Sequence, residues 1–389
     1  MQTRRRGDLF SMGGIVPEEI AARMLHYAHR NLADADDFEV QRMLRELIRI
    51  CGGDICKMDH WSGEDVGGVP TFSGTHSNEL ALQLSRDATG KNSVLMTNLA
   101  HSSVRRAAEK LRMRAIILDA DPIDSHPGAS FGSFALNPNR LAESLEHYGD
   151  DIAIIAIAAG TTDLGVCEKF SIPPEFLSST GAWVHVDAAY GGMALGLLAR
   201  EGEYPLPLYH GFGHCARSVT FDLHKFIGGY GCSLLLLSSA EDERLGMEER
   251  NYFRRRFTKV GSSIPADKVA AALATMKAYG LDGLRQIASD CHAKAKLVAE
   301  RLGEHGIRTI VPVQSGIVSI ALDSPQEANH MVKALEREGY SVASICIPGT
   351  DSEGTKYQIN GIRITVRPGM DLERLMGFAD AVIRIWSLQ

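Results

Sequence analysis

Between residues 93 and 237 short, almost unbroken apolar runs recur: SVLMT (93–97), RAIIL (114–118), IAIIAIA (152–158), WVHVD (183–187), SVTFD (218–222) and CSLLLL (232–237). Hydrophobicity that is continuous rather than alternating marks strands covered on both faces, which is the signature of a mainly parallel sheet. Helical patterns over 76–90 and 102–112 alternate with the runs, one before the first and one after it, so helices flank the sheet on both faces. The fold class expected is α/β.

The flanking thirds read differently. Apolar residues at helical spacing in MLHYAHRNL and VQRMLRELIRI, with Pro17 in a first turn, make residues 1–66 an N-terminal helical segment. A large domain is expected over 67–270. A long helix over about 282–304, strands in RTIVPV and GIVSIAL, a helix over 325–338, a strand in IRITVRP (362–368) and a closing helix after Met370 make 271–389 a smaller C-terminal α+β domain.

Bulk properties exclude several function classes. The net charge is −7 with acids and bases mixed, so no clustered basic face for a nucleic-acid partner is expected. No apolar run is long enough to cross a bilayer, so no membrane association is expected, and MQTRRRGDLF has no apolar stretch behind its basic start, unlike a signal peptide. The seven cysteines are scattered with no CxxC pair, which suits reduced thiols in a cytoplasmic protein. His210, His214 and Cys215 have ligand-like chemistry, but a glycine-rich loop explains them as well, and no metal site is expected.

In an open parallel sheet, ligands bind beyond the carboxyl ends of the strands. Those ends deliver AAGTTDLG after residue 157, Asp187 followed by AAYGG, and Asp222, His224 and Lys225 after the run at 218–221. Helix starts at Gly74-Thr75 and His101 face the same edge. A lysine there is either a solvated charge or an amine placed to react. Pyridoxal phosphate asks for these groups together: a lysine amine for its aldehyde, a carboxylate beside its ring nitrogen, backbone donors at a helix start for its phosphate, and a flat group against the ring.

The stretches GGVPTFSGTHSNELAL (67–82), HSSVRRAAEKL (101–111), AAGTTDLGVCEKF (158–170), WVHVDAAYGG (183–192) and SVTFDLHKFIGG (218–229) together resemble the group II amino-acid decarboxylases. These are pyridoxal-phosphate enzymes of transferase-like fold type I, a branch that also includes sphingosine-phosphate lyase. The resemblance implies a cofactor-binding large domain and makes Lys225 the Schiff-base lysine and Asp187 the partner of the ring nitrogen. His101 becomes the ring-stacking residue and a candidate proton mover, and Ala189 packs under the ring. Gly74, Thr75, Ser218 and His224 fall at phosphate positions, and Thr162 falls at the ring hydroxyl. Ser262 resembles the segment that reaches the phosphate from a neighbouring subunit, which implies a homodimer with shared sites. Tyr252 lies where related enzymes carry a catalytic loop and is a candidate proton donor. Arg363 resembles the small-domain arginine that binds a substrate carboxylate; a strand-end surface charge reads equally well.

Where the family reads Ser-Gly-Gly-Thr-Glu, this chain has Phe72-Ser73-Gly74-Thr75-His76, so Phe72 and His76 are expected beside the phosphate or substrate. Ser263 stands where arginine is frequent, and Arg254 to Arg256 form a cluster that is either solvated or drawn to an anionic substrate. The function implied is decarboxylation of an L-amino acid through a quinonoid intermediate. A carbon–carbon lyase acting on a phosphorylated amino alcohol, an aminotransferase and a decarboxylating oxidase share the cofactor residues; a non-catalytic binding module is the remaining reading.

Overall fold

The computed structural model of the chain describes residues 9, 14, 16–32, 37–58, 66–123, 126–168, 172, 174–198, 216–227, 231–245, 247–250, 255–258, 264–351 and 353–388, with side chains left out for 174 and for 247–258. Tyr252, Arg254, Ser262, Ser263, His210, His214 and Cys215 therefore lie outside the described residues, as do the side chains of Arg255 and Arg256.

The chain opens with α1 (Glu18–Met24) and α2 (Phe38–Ile48), the latter continued by a π-helical turn over Arg49–Ile55. Asp37 caps α2 by accepting from the Val40 N–H, and Val40, Leu44, Leu47 and Ile48 fall on one buried face. Next come β1 (Gly67–Thr71), α3 (Gly74–Thr89), β2 (Ser93–Thr97), α4 (Ser102–Leu111) and β3 (Arg114–Leu118). A small pair, β4 (Asp121–Ile123) and β5 (Ser133–Ala135), precedes α5 (Pro138–Tyr148) and β6 (Ile152–Ala158). Then follow α6 (Pro174–Thr180), β7 (Trp183–Asp187), α7 (Gly191–Leu198), β8 (Ala216–Phe221) and β9 (Ser233–Leu237).

Seven of these strands form one sheet in the order β1-β9-β8-β7-β6-β2-β3. β3, β2, β6, β7 and β8 are mutually parallel, and β9 runs against both neighbours. Every residue of β2, β6, β7 and β9 is buried, which is what the unbroken apolar runs required.

After α8 (Ala240–Leu245) and the hairpin β10 (Met247–Arg250) and β11 (Arg255–Thr258), α9 (Asp267–Gly303) links the large sheet to a second one. α9 leaves helical geometry at Gly280, where φ is 63° and ψ is 174°. Its first part, from Val269 to Ala288, buries into the core of the large sheet. Its last turns, Cys291, Ala295, Val298 and Leu302, bury into the core of the second. The boundary expected at 270 thus falls inside a helix that belongs to both cores. The second sheet is antiparallel, in the order β12 (Ile317–Leu322), β14 (Lys356–Thr365), β13 (Ala343–Thr350), with α10 (Pro325–Arg337) and α11 (Leu372–Trp386) packed in the same core.

The strand pattern needs correction at three places. GGVPT forms β1 and SICIPGT belongs to β13, strands beyond those that the apolar runs predict. Both are edge strands, where Pro70 and Pro348 lack an N–H that no neighbour needs. RTIVPV is not a strand; it makes only single bridges at Thr309, to Ala129 and Ile320. Among the described residues no helix is long and apolar enough to cross a membrane, and no cluster of His, Cys, Asp and Glu is arranged to hold a metal.

Candidate active site

At the carboxyl ends of β6, β7 and β8 a cavity of about 230 Å³ opens, walled also by the starts of α3 and α4. It brings together Gly74, Thr75, His101, Thr162, Asp187, Ala189, His224 and Lys225, which the sequence predicts, with Ser73, Asn78, Thr161 and Asp222, to which it assigns no role. Two glycines let the walls of the cavity approach one another closely. A Cβ on Gly74 would lie 2.8 Å from Asp222 Oδ2 and 3.1 Å from the Ala189 methyl. Gly160 turns the chain after β6 at φ +84°, a conformation L side chains rarely adopt, against the backbone of Gly191. Ser73 caps α3 by accepting from the His76 N–H, so the first N–H groups of the helix face the cavity.

One end of the cavity is built around Asp187, which is 8 % exposed. Its Oδ2 accepts from Asn78 Nδ2 at 2.7 Å and its Oδ1 from the Ala189 N–H at 3.2 Å. Behind it lies a file of buried polar side chains. Trp183 Nε1 donates to Ser218 Oγ (2.7 Å), Ser218 Oγ meets His185 Nδ1 (2.8 Å), and His185 Nε2 meets Asn78 Oδ1 (3.0 Å), which also accepts from Thr220 (2.6 Å). Burial pushes His185 down to about 4, so it is a neutral ring.

His101 caps α4 with its own ring: Nδ1 accepts from the Ser103 N–H at 3.2 Å and lies 2.7 Å from Ser103 Oγ. An acceptor at Nδ1 places the ring proton on Nε2. Burial, ahead of the opposing pull of Asp187, holds His101 below the usual imidazole range.

The other end is ionic. Lys225 Nζ lies 3.2 Å from Asp222 Oδ2, with side-chain exposures of 23 % and 2 %, and Ser233 Oγ donates to Asp222 Oδ1. His224 bonds the Cys232 carbonyl through Nδ1 at 3.0 Å and keeps Nε2 3.6 Å from Asp222. Behind β6 a third carboxylate, Glu168, accepts from the Thr97 hydroxyl and the Ala158 N–H; burial pushes it up to about 7.

Four expected residues stand apart from the cavity. Ser218 is fully buried and its hydroxyl is taken up by Trp183 and His185; four residues before Asp222, it lies about 13 Å short of the strand end. Phe72 and His76 stand edge to face at the start of α3, with centroids 6.0 Å apart, outside the lining. Arg363, on β14, is buried and donates to the Thr162 carbonyl, so it touches the back of the wall rather than the cavity. A second cavity of about 480 Å³ shares His101, Thr161 and Thr162 with the first and reaches to Arg105, Asp163 and Ile347.

The donor set fits pyridoxal phosphate. Among the described residues one oxygen of Asp187 meets only a backbone N–H, Lys225 offers its amine across the same cavity, and Gly74 and Thr75 line it at a helix start suited to a phosphate.

The conserved domain of pyridoxal-dependent decarboxylases matches residues 76–322. A protein of Methanopyrus kandleri named "Probable L-tyrosine/L-aspartate decarboxylase" is 28% identical over 369 residues, covering 92% of this chain and 90% of that one. Among solved structures, a sphingosine-1-phosphate lyase of Burkholderia pseudomallei superposes with a TM-score of 0.75 at 16% identity, covering 98% of this chain and 86% of the other. A glutamate decarboxylase of Lactobacillus brevis gives 0.74 at 17% identity, covering 98% and 88%. The architecture expected from the sequence, fold type I, is the one observed.

Proposed function

The chain belongs to the pyridoxal-dependent decarboxylase family, and from that premise we propose that it removes the α-carboxyl group of an L-amino acid using Lys225, Asp187 and His101. The observation that carries this reading is the meeting of Asp187 and Lys225 at one small cavity within the matched domain. Pyridoxal phosphate, when bound, supplies an electron sink for the pair left on the α-carbon as carbon dioxide departs.

The chain's own groups divide the work. Lys225 Nζ would hold the aldehyde carbon, Asp187 the ring nitrogen, and the Gly74-Thr75 backbone with His224 the phosphate. Thr162 and Ala189 would border the ring. Asp222 Oδ2, at 3.2 Å, is placed to take the proton the Lys225 amine must shed. His101 offers Nε2–H to the cavity. Its Nδ1 already meets two donor groups of Ser103, which disfavours a second ring proton. Arg363 braces the Thr162 carbonyl from behind and would be the cation offered to a substrate carboxylate.

L-Aspartate and L-tyrosine are the first substrates to try, because the Methanopyrus relative carries both in its name. A homodimer, with Ser262 of each subunit reaching the other's phosphate and Tyr252 returning a proton to the product, completes the proposal. A cytoplasmic setting suits the six described cysteines, all of them free thiols. The test is carbon dioxide release from carboxyl-labelled amino acids by the cofactor-loaded chain. Release from one or more supports the reading, and none across the twenty would sink it in favour of lyase chemistry. Sedimentation tests the dimer; a fully active monomer contradicts it.

A further inference from the structure

Asn78 stands where two lines of hydrogen bonds meet, one running to Asp187 and the other to His101. Its carbonyl oxygen accepts from the Thr220 hydroxyl and from His185 Nε2, while its amide nitrogen reaches Asp187 Oδ2 at 2.7 Å and Ser103 Oγ at 2.8 Å. Asp187 sets the orientation: a flipped amide would turn its oxygen against a carboxylate. The proton positions then follow in sequence. Asn78 Oδ1 can only accept, so the His185 proton lies on Nε2, and His185 Nδ1 accepts from the Ser218 hydroxyl, whose oxygen accepts from Trp183 Nε1. On the other branch the Ser103 N–H makes His101 Nδ1 an acceptor, which leaves the His101 proton on Nε2, and the Ser103 hydroxyl, while accepting from Asn78, donates to the same Nδ1. Asn78 and Ser103 are 1 % and 0 % exposed, so water does not compete for these bonds.

We propose that Asn78 is the positioning residue that sets the proton arrangement of the cavity, holding Asp187 as an acceptor and, through Ser103, fixing His101 as an Nε2–H donor. Both ends of a proton-dependent reaction thereby answer to one buried amide. Removing it takes a donor from Asp187 and lets the Ser103 hydroxyl turn away from His101. Each change makes a second proton on His101 easier to accept. The charged groups that bear on His101 are Asp187, Lys225, Arg106, Asp222 and, from the loop after β6, Asp163. Asp187 and Asp222 pull in the same direction as the loss of Asn78.

The inference rests on the reading that Asp187 and His101 serve the cofactor, and its test is separable from that reading. The full-length chain is labelled with nitrogen-15 histidine, His101 is identified by its disappearance in His101→Gln, and spectra are followed against pH with and without pyridoxal phosphate. Wild-type His101 is expected as the Nε2–H tautomer with a midpoint below the ordinary value of about 6.5. In Asn78→Ala the midpoint should rise by about half a unit or more, and in Ser103→Ala by a smaller step, since the Ser103 N–H remains. The dissociation constant for pyridoxal phosphate should rise about tenfold in Asn78→Ala and stay near wild type in Ser103→Ala. A proton on Nδ1 in the wild type overturns the proposal, as does a folded Asn78→Ala protein with an unchanged His101 midpoint. Should Asn78→Ala fail to fold, an unchanged midpoint in Ser103→Ala is equally fatal. Absent decarboxylation with the expected His101 shifts would reject the function and leave the positioning role standing.

Discussion

Asp187 and Asp222 stand on the walls of one cavity, but they are held in opposite ways. Asp187 is met by a side-chain amide and a backbone N–H, and among the described residues no ion pair reaches it. Asp222 is met by the ammonium of Lys225 and the hydroxyl of Ser233. Neutral donors on both oxygens hold Asp187 in place, so it is the fixed end. Asp222 is held by the side chain that must leave it to react, so it is the exchangeable one. The difference teaches that a buried carboxylate's task is set by its partners more than by its burial, since both are under a tenth exposed.

Breaking the exchangeable end should cost most. Lys225→Ala is expected to lower turnover on the order of 10⁴-fold, because no other described amine lines the cavity; steady-state carbon dioxide release measures it. Asp187→Asn keeps the shape of the fixed end and removes its charge, and turnover should fall roughly 10²- to 10³-fold with the melting temperature little changed.

Glu168 sharpens the comparison from behind the fixed end, as another buried carboxylate met only by neutral donors. Because burial lifts it to about 7 in the folded chain, the stability it confers is complete below about pH 4 and is lost as pH rises through about 7. The loss amounts to roughly 3 kcal/mol between those limits. Urea unfolding at pH 5 and pH 8 should show this decline in the wild type and a flatter profile in Glu168→Gln. Asp222→Asn removes the acceptor for the Lys225 proton and should slow cofactor capture at neutral pH about tenfold, a smaller effect because solvent can substitute. Stopped-flow absorbance reads it, and an unchanged rate would assign the Lys225 proton to another acceptor.

The frame of the site was legible because continuous apolar runs locate parallel strands, and strand ends locate ligands. The runs at 93–97, 114–118, 152–158 and 183–187 coincide with β2, β3, β6 and β7, and Asp187 and Lys225 lie where those ends predict. What escaped was the second layer. Asn78 sits in the second turn of α3 between Ser77 and Glu79, and His185 sits between two valines, positions that pattern reading does not single out. The signal was present as parity. Period-two alternation puts His185 and Asp187 on one face of β7 and Ser218, Thr220 and Asp222 on one face of β8, and the pairing His185 with Ser218 and Asp187 with Thr220 aligns them. A polar stripe inside fully buried strands needs internal partners. Read that way, Ser218 belongs to the support of Asp187 rather than to the phosphate, and Asp222 stands at the mouth. The partner of that stripe, Asn78, comes from another element, so strand alternation alone does not reach it.

The division between a fixed and an exchangeable end depends first on Lys225 being the group that captures the cofactor. Borohydride reduction of the loaded chain, followed by peptide mass mapping, tests this directly. The pyridoxyl mass is expected on Lys225 and on no other lysine. A label on a different lysine, or a loaded and yellow protein that carries none, would contradict the assignment and with it the roles given to both carboxylates.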